Sequence, residues 1–125
     1  MAHILIIDDS SVTRSVLKST LEELGHRITE AVDGEQGLEL AKAQTPDLIL
    51  LDLLLPGIDG WQVCELFRKM PRVKDVPIIM LTNLKTPVDK LRGWESGADE
   101  YIFKTEDLGP LLFVINKWLS PDPDR

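Results

Sequence analysis

Side chains suited to phosphoryl chemistry stand at the ends of four short apolar runs. Asp8 and Asp9 follow Ile4–Ile7, Asp52 follows Leu48–Leu51, Thr82 follows Ile78–Leu81, and Lys104 follows Tyr101–Phe103. If these runs are strands of one open α/β sheet, the residues converge, because such sheets bind ligands outside the carboxyl ends of their strands. Three carboxylates in one crevice repel each other unless a cation neutralises them. An all-oxygen donor set suits magnesium, which takes few carboxylates and shares its remaining positions with water and phosphate. Lys104 adds a mobile positive charge on the other side of the same site. A carboxylate beside a phosphoryl group so neutralised can attack phosphorus and form an acyl phosphate. Asp52 is the preferred nucleophile, since it stands alone after the most apolar run, whereas Asp8 and Asp9 form a pair suited to holding the cation. Thr82 supplies a hydroxyl able to hydrogen-bond a phosphoryl oxygen.

Taken singly, each residue has a plainer explanation. Asp9, Ser10 and Ser11 stand where a helix N-cap is wanted. Asp52 alone suits a turn, Thr82 could bond one, and Lys104 would be a solvated surface lysine. Their shared position after successive apolar runs is what favours chemistry.

Those runs must be positioned by an alternation of strands and helices. Strands are expected at Ile4–Ile7, Arg27–Val32, Leu48–Leu51, Ile78–Leu81 and Tyr101–Phe103, and helices at about Ser11–Leu24, Glu35–Ala43, Trp61–Met70, Pro87–Ser96 and Leu108–Leu119. Gly25, Pro46, Pro77 and Gly97 punctuate the element edges. The first and third strands are apolar at every position, as parallel strands covered on both faces must be. The second, with Arg27, Thr29 and Glu30 among apolar residues, reads as an edge. On the fifth helix Leu108, Leu111, Leu112, Ile115, Trp118 and Leu119 share a face that should cover the sheet, with Phe113 opposite; on the fourth, Leu91 marks the inward stripe and Trp94 lies off it.

A chain of 125 residues fits one compact domain, here residues 1–119, with residues 120–125, rich in Pro and Asp, read as a flexible tail. Its 43% hydrophobic and 28% charged content excludes a wholly disordered chain, and a net charge of −7 argues against direct contact with nucleic acid. The single cysteine, Cys64, forms neither an internal disulfide nor a zinc cluster, which points to a reducing compartment. Without a signal-peptide pattern or a membrane-spanning run, the expected location is the cytoplasm, with no membrane insertion.

In its motifs the chain resembles the receiver domain of two-component response regulators, including single-domain chemotaxis-type members. The resemblance rests on Ile6-Ile7-Asp8-Asp9-Ser10, Asp47-Leu48-Ile49-Leu50-Leu51-Asp52, Leu55-Pro56-Gly57-Ile58-Asp59-Gly60, Pro77-Ile78-Ile79-Met80-Leu81-Thr82 and Gly97-Ala98-Asp99-Glu100-Tyr101-Ile102-Phe103-Lys104. It implies a flavodoxin-like (βα)5 three-layer sandwich with a parallel sheet of order 2-1-3-4-5. It also implies that Asp52 accepts a phosphoryl group from a histidine kinase or phosphotransfer protein. Mg2+ would be held by Asp9, Asp52 and the Leu54 backbone carbonyl, with Asp8 acting through a bound water. Lys104 would pair with the phosphoryl group or with Asp52, Thr82 would move toward the phosphate, and Tyr101 would turn inward. Such a chain catalyses its own aspartyl phosphorylation and dephosphorylation and turns over no external substrate. The switch is a population shift worth on the order of a few kcal/mol. Output would pass to a downstream protein target or a second copy through the helix 4, strand 5, helix 5 side, where Trp94, Tyr101 and Phe113 could border one patch.

Some positions depart from the family pattern. Thr105 follows Lys104 where the family has proline, and a cis bond to a non-proline residue costs roughly 2.5–4 kcal/mol, so a trans bond or a strained loop is expected. Asn83 stands where a very small residue is common, and its bulk would slow access of phosphodonors. Leu54 and Leu84 replace polar neighbours and are expected to hinder an attacking water. Other classes fit less well. A flavin module would place a phosphate beside the paired aspartates, and a haloacid-dehalogenase-type phosphatase expects an acid where Leu54 stands. A degenerate receiver that binds partners without phosphorylation is the stronger rival.

Overall fold

The computed structural model describes residues 2–84 and 86–120; of the tail expected over residues 120–125, all but Ser120 lies outside them. Five strands, β1 (His3–Ile7), β2 (Arg27–Ala31), β3 (Leu48–Leu51), β4 (Ile78–Thr82) and β5 (Glu100–Phe103), alternate with five helices, α1 (Ser11–Glu23), α2 (Gly34–Ala43), α3 (Gly60–Arg68), α4 (Pro87–Ser96) and α5 (Gly109–Leu119). All strand pairs are parallel, in the order β2-β1-β3-β4-β5. The fold is the flavodoxin-like three-layer sandwich expected from the sequence.

Alternation along the strands builds two separate cores. Leu5, Ile7, Ile49, Leu51, Ile78 and Met80 pack with Ala41, Val63, Cys64 and Phe67 under α2 and α3. On the other face Ile4, Ile6, Leu48, Leu50, Ile79 and Leu81 pack with Leu17, Leu21, Leu111 and Ile115 of α1 and α5. Burial on both faces is why β1, β3 and β4 carry no solvent-facing polar residue before their final positions. Edge strand β2 is exposed or half-buried except at Ala31.

Side chains fix where α1 to α4 start. Ser10, Asp33, Asp59 and Thr86 each accept from a backbone N–H in the first turn, and Asp59 forms a reciprocal capping box with Gln62. Arg68 closes α3 onto the next elements. Its guanidinium donates to the carbonyls of Gly97 (2.8 Å), Lys74 (3.0 Å) and Val76 (2.7 Å) and to the Asp99 carboxylate (2.8 Å).

Two expectations are corrected. Leu91 does not define the inward face of α4; it is 56% exposed, and the helix turns Gly93 and Ser96 to the protein. The helix lies too close to the sheet for larger residues there, since a Cβ on Gly93 would stand 2.8 Å from the Tyr101 ring. Tyr101 is also not part of an exposed patch. Only 7% of it is accessible, and its ring meets Phe103 edge-on with centroids 6.1 Å apart. Trp94, Phe103 and Phe113 remain exposed on that side, Phe113 the most at 74%.

Candidate functional site

Register brings the reactive side chains together. Ile7 pairs with Leu51, so the residues that follow, Asp8 and Asp52, leave adjacent strands side by side. Thr82 pairs with Phe103, which puts Lys104 one step beyond the end of β4. Carboxylate oxygens of Asp8, Asp9 and Asp52 all lie within 4.8 Å of one another. The Lys104 Nζ bridges two of them, at 2.7 Å from Asp8 Oδ2 and 2.9 Å from Asp52 Oδ2. Asp8 and Asp52 are 2% and 5% exposed, whereas Asp9 is open to solvent.

Backbone groups complete the frame. Ser10 N–H donates to Asp8 Oδ1 at 2.8 Å, and Leu54 N–H to Asp52 Oδ1 at 3.3 Å. Gly60 is required here, because any Cβ would overlap the carbonyl oxygen of Asp52 and come within 2.6 Å of the Leu53 Cα. The first turn of α3 is thereby pressed against the backbone of Asp52.

Electrostatics follow from this packing. Burial pushes the Asp8 carboxyl above its ordinary range, opposed by its hydrogen bonds from Lys104 and Ser10. Burial works in the opposite sense on Lys104, but the hydrogen bonds to Asp8 and Asp52 outweigh it and raise the ammonium above its ordinary value. Lys104 is therefore charged at neutral pH.

These features coincide with a known pattern, that of the response regulator receiver domain, which matches residues 4–116. The chain belongs to that family. Protein PilH of Pseudomonas aeruginosa is 36% identical over 120 residues, covering 96% of this chain and 99% of PilH. The DNA-binding dual master transcriptional regulator RpaA of Synechocystis is 44% identical over 112 residues, 90% of this chain but 46% of RpaA. The chain thus spans less than half the length of several curated relatives it matches. Among solved structures, chemotaxis protein CheY4 of Vibrio cholerae superposes with a TM-score of 0.90 at 30% identity over 95% of this chain and 99% of that one. Response regulator TrrA of Thermotoga maritima, in complex with Mg2+ and BeF, superposes with a TM-score of 0.86 at 36% identity over 95% of this chain and 100% of that one.

In this receiver the acidic cluster fits a Mg2+ site, because its donors are all hard carboxylate oxygens brought within reach of one ion. Thr82, fully buried, accepts at Oγ1 from Leu84 N–H at 3.4 Å, and the Leu84 carbonyl accepts from the Tyr101 hydroxyl at 2.9 Å. Thr82 and Tyr101 are therefore linked through the backbone of a single residue, a connection that sequence gives no sign of. Leu84 leans onto the core, so of the two apolar neighbours it is Leu54 whose side chain stays largely exposed. Asn83 is exposed. No peptide bond among the described residues is cis, so Lys104–Thr105 is trans, and Thr105 Oγ1 donates to the Asp107 carbonyl at 2.8 Å.

Two arginines escaped the sequence reading. Arg68 fastens the α4–β5 turn, and Arg14 reaches the backbone of Asp8. Arg14 carried a usable signal, since a cation near the start of a helix opposes the helix dipole and asks for another partner. No helix among the described residues is long and apolar enough to cross a membrane.

Proposed function

We propose that the chain is a phosphorylation-dependent switch in which Asp52 takes a phosphoryl group from a phosphohistidine of a kinase or phosphotransfer protein. The observation carrying this is the bridge from Lys104 to Asp52 at 2.9 Å within a cluster of three convergent carboxylates. Asp9, Asp52 and the Leu54 carbonyl would hold Mg2+, with Asp8 acting through a bound water, and the ion would supply neutralisation of phosphoryl charge. Asp52 attacks phosphorus as the N–P bond to imidazole breaks, and the leaving imidazole takes up a proton. Lys104 exchanges an Asp8 oxygen for a phosphoryl oxygen, while Thr82 gives up Leu84 N–H and donates its hydroxyl to the phosphate. Because Leu84 also receives the Tyr101 hydroxyl, that exchange is transmitted to the β4–α4 loop and α4. The exposed Trp94 and Phe113 then change what the α4, β5, α5 side binds, a downstream protein or a second copy.

An apolar groove of about 530 Å³ beside Lys104, lined by Val12, Val16, Leu81, Phe103 and Leu108 among others, gives a donor protein room to approach. The test is incubation with Mg2+ and a small phosphodonor, read by intact mass. Wild type gains one phosphoryl group and Asp52→Asn gains none. No gain in wild type would leave a phosphorylation-independent binding module.

A further inference from the structure

Arg14 lies in the first turns of α1, and its side chain is only 13% exposed. Its Nη1 donates to the Asp8 carbonyl oxygen at 2.6 Å, and its Nε contacts Glu30 Oε1 of β2 at 3.3 Å. Lys18 approaches the other oxygen of Glu30 at 3.7 Å. Burying a guanidinium costs free energy unless its donors are used, and here they join a helix, an edge strand and the loop that carries two of the three clustered carboxylates.

The gripped carbonyl belongs to the peptide between Asp8 and Asp9. Holding it limits rotation about Asp8 ψ and Asp9 φ, the torsions that set one carboxylate relative to the next. The other side of residue 8 is already fastened, because its N–H donates to the Ala31 carbonyl at 3.1 Å. Asp8 has a further tether from Ser10 N–H, whereas Asp9 is exposed and takes its direction from this peptide.

We propose that Arg14 is a positioning residue of the cation site: anchored by Glu30, it holds the Asp8–Asp9 peptide so that both carboxylates face one Mg2+. The edge strand, which ends in no reactive residue, thereby takes part in the site through Glu30. This inference rests on the acidic cluster being the Mg2+ site.

The experiment is a titration with MgCl2 alone, followed by backbone amide NMR shifts at Asp9, Asp52 and Leu54, well below the melting temperature of each protein. Wild type, Arg14→Lys, Arg14→Gln, Glu30→Gln and Asp9→Asn are compared, with metal-free melting recorded for each. Arg14→Lys keeps the charge but cannot span both partners; Arg14→Gln loses both. Both are expected to bind Mg2+ about tenfold more weakly, in line with partners one layer behind metal ligands. Glu30→Gln shifts affinity the same way by less. A purely electrostatic role would leave Arg14→Lys at the wild-type affinity and make Arg14→Gln bind more tightly, and that result overturns the proposal. So does lowered melting with unchanged affinity, which marks a role in stability alone. Should the Arg14 variants not fold, Glu30→Gln decides, an unchanged affinity refuting the idea. A wild type that shows no saturable shift, and so matches Asp9→Asn, removes the Mg2+ reading itself and the proposal with it.

Discussion

Replacing Lys104 by methionine keeps the length of the side chain and removes the cation that bridges Asp8 and Asp52 at 2.7 and 2.9 Å. Both carboxylates are almost fully buried, so they are left facing each other and Asp9 without compensation. Breaking a buried pair by deleting one partner costs about 3–5 kcal/mol. Burial already pushes the Asp8 carboxyl above its ordinary range, so protonation of that group in the variant relieves part of this cost, and a loss at the lower end of that range, about 3 kcal/mol, is expected in metal-free buffer at neutral pH. Mg2+ restores the missing charge, and at a hundredfold excess over its dissociation constant a ligand adds about 2.7 kcal/mol. The same ion should gain less on wild type, where it must compete with the Lys104 ammonium for the two aspartates. Urea unfolding of both proteins with and without MgCl2 supplies the four free energies. A metal-free variant as stable as wild type, or an equal Mg2+ gain in the two proteins, would refute the view that Lys104 stands in for part of the cation charge.

Gly60→Ala should destabilise the chain by about 2 kcal/mol or more, because the added methyl overlaps the Asp52 carbonyl and the Leu53 Cα, both backbone atoms; thermal melting checks it, and Mg2+ affinity should fall with it. Leu54→Asn, placing a polar group beside Asp52 on an exposed side chain, is expected to shorten the phosphorylated lifetime by about 2–10-fold, the worth of one hydrogen bond to the attacking water; an unchanged rate of phosphate loss rejects that role. Burial pushes the Cys64 thiol up to about 12, so a thiol reagent at pH 8 should modify it only after denaturant is added. His3 is held below its ordinary 6.5, first by burial and then by Arg27, so the unfolded chain takes up the proton first. Its contribution is complete above 6.5 and is lost as pH falls through the lower folded value. Unfolding free energies of wild type and His3→Gln between pH 7 and pH 5 should therefore converge.

The strands, and the convergence of Asp8, Asp9, Asp52 and Lys104 at their carboxyl ends, were legible in the sequence because one cause produces both signals. A parallel strand covered on both faces is apolar throughout, and its first polar residue marks the carboxyl end where ligands bind. Edges moved little: β4 takes in Thr82, β5 begins at Glu100, and α3 stops at Arg68. The inward face of α4 was not legible, since that face is defined by smallness, Gly93 and Ser96, where apolarity would mark Leu91. Tyr101 alternates correctly for burial, but whether its ring lies in or out depends on a rotamer and on the Leu84 carbonyl that receives its hydroxyl. Arg68 acts on the Gly97 carbonyl, remote in the chain, and a carbonyl leaves no residue-type signature to pair with; Arg14 acts on the nearby Asp8 carbonyl, and its one sign was a cation in the first turns of a helix.

Strand order has a consequence for synthesis. The three acidic side chains follow β1 and β3, which pair within the sheet, while the ammonium that offsets two of them comes from beyond the last strand. A chain still emerging from the ribosome carries its full anionic load at this spot and gains the counter-charge only when the fifth strand docks. Until then, any charge that offsets the half-made pocket must come from solution.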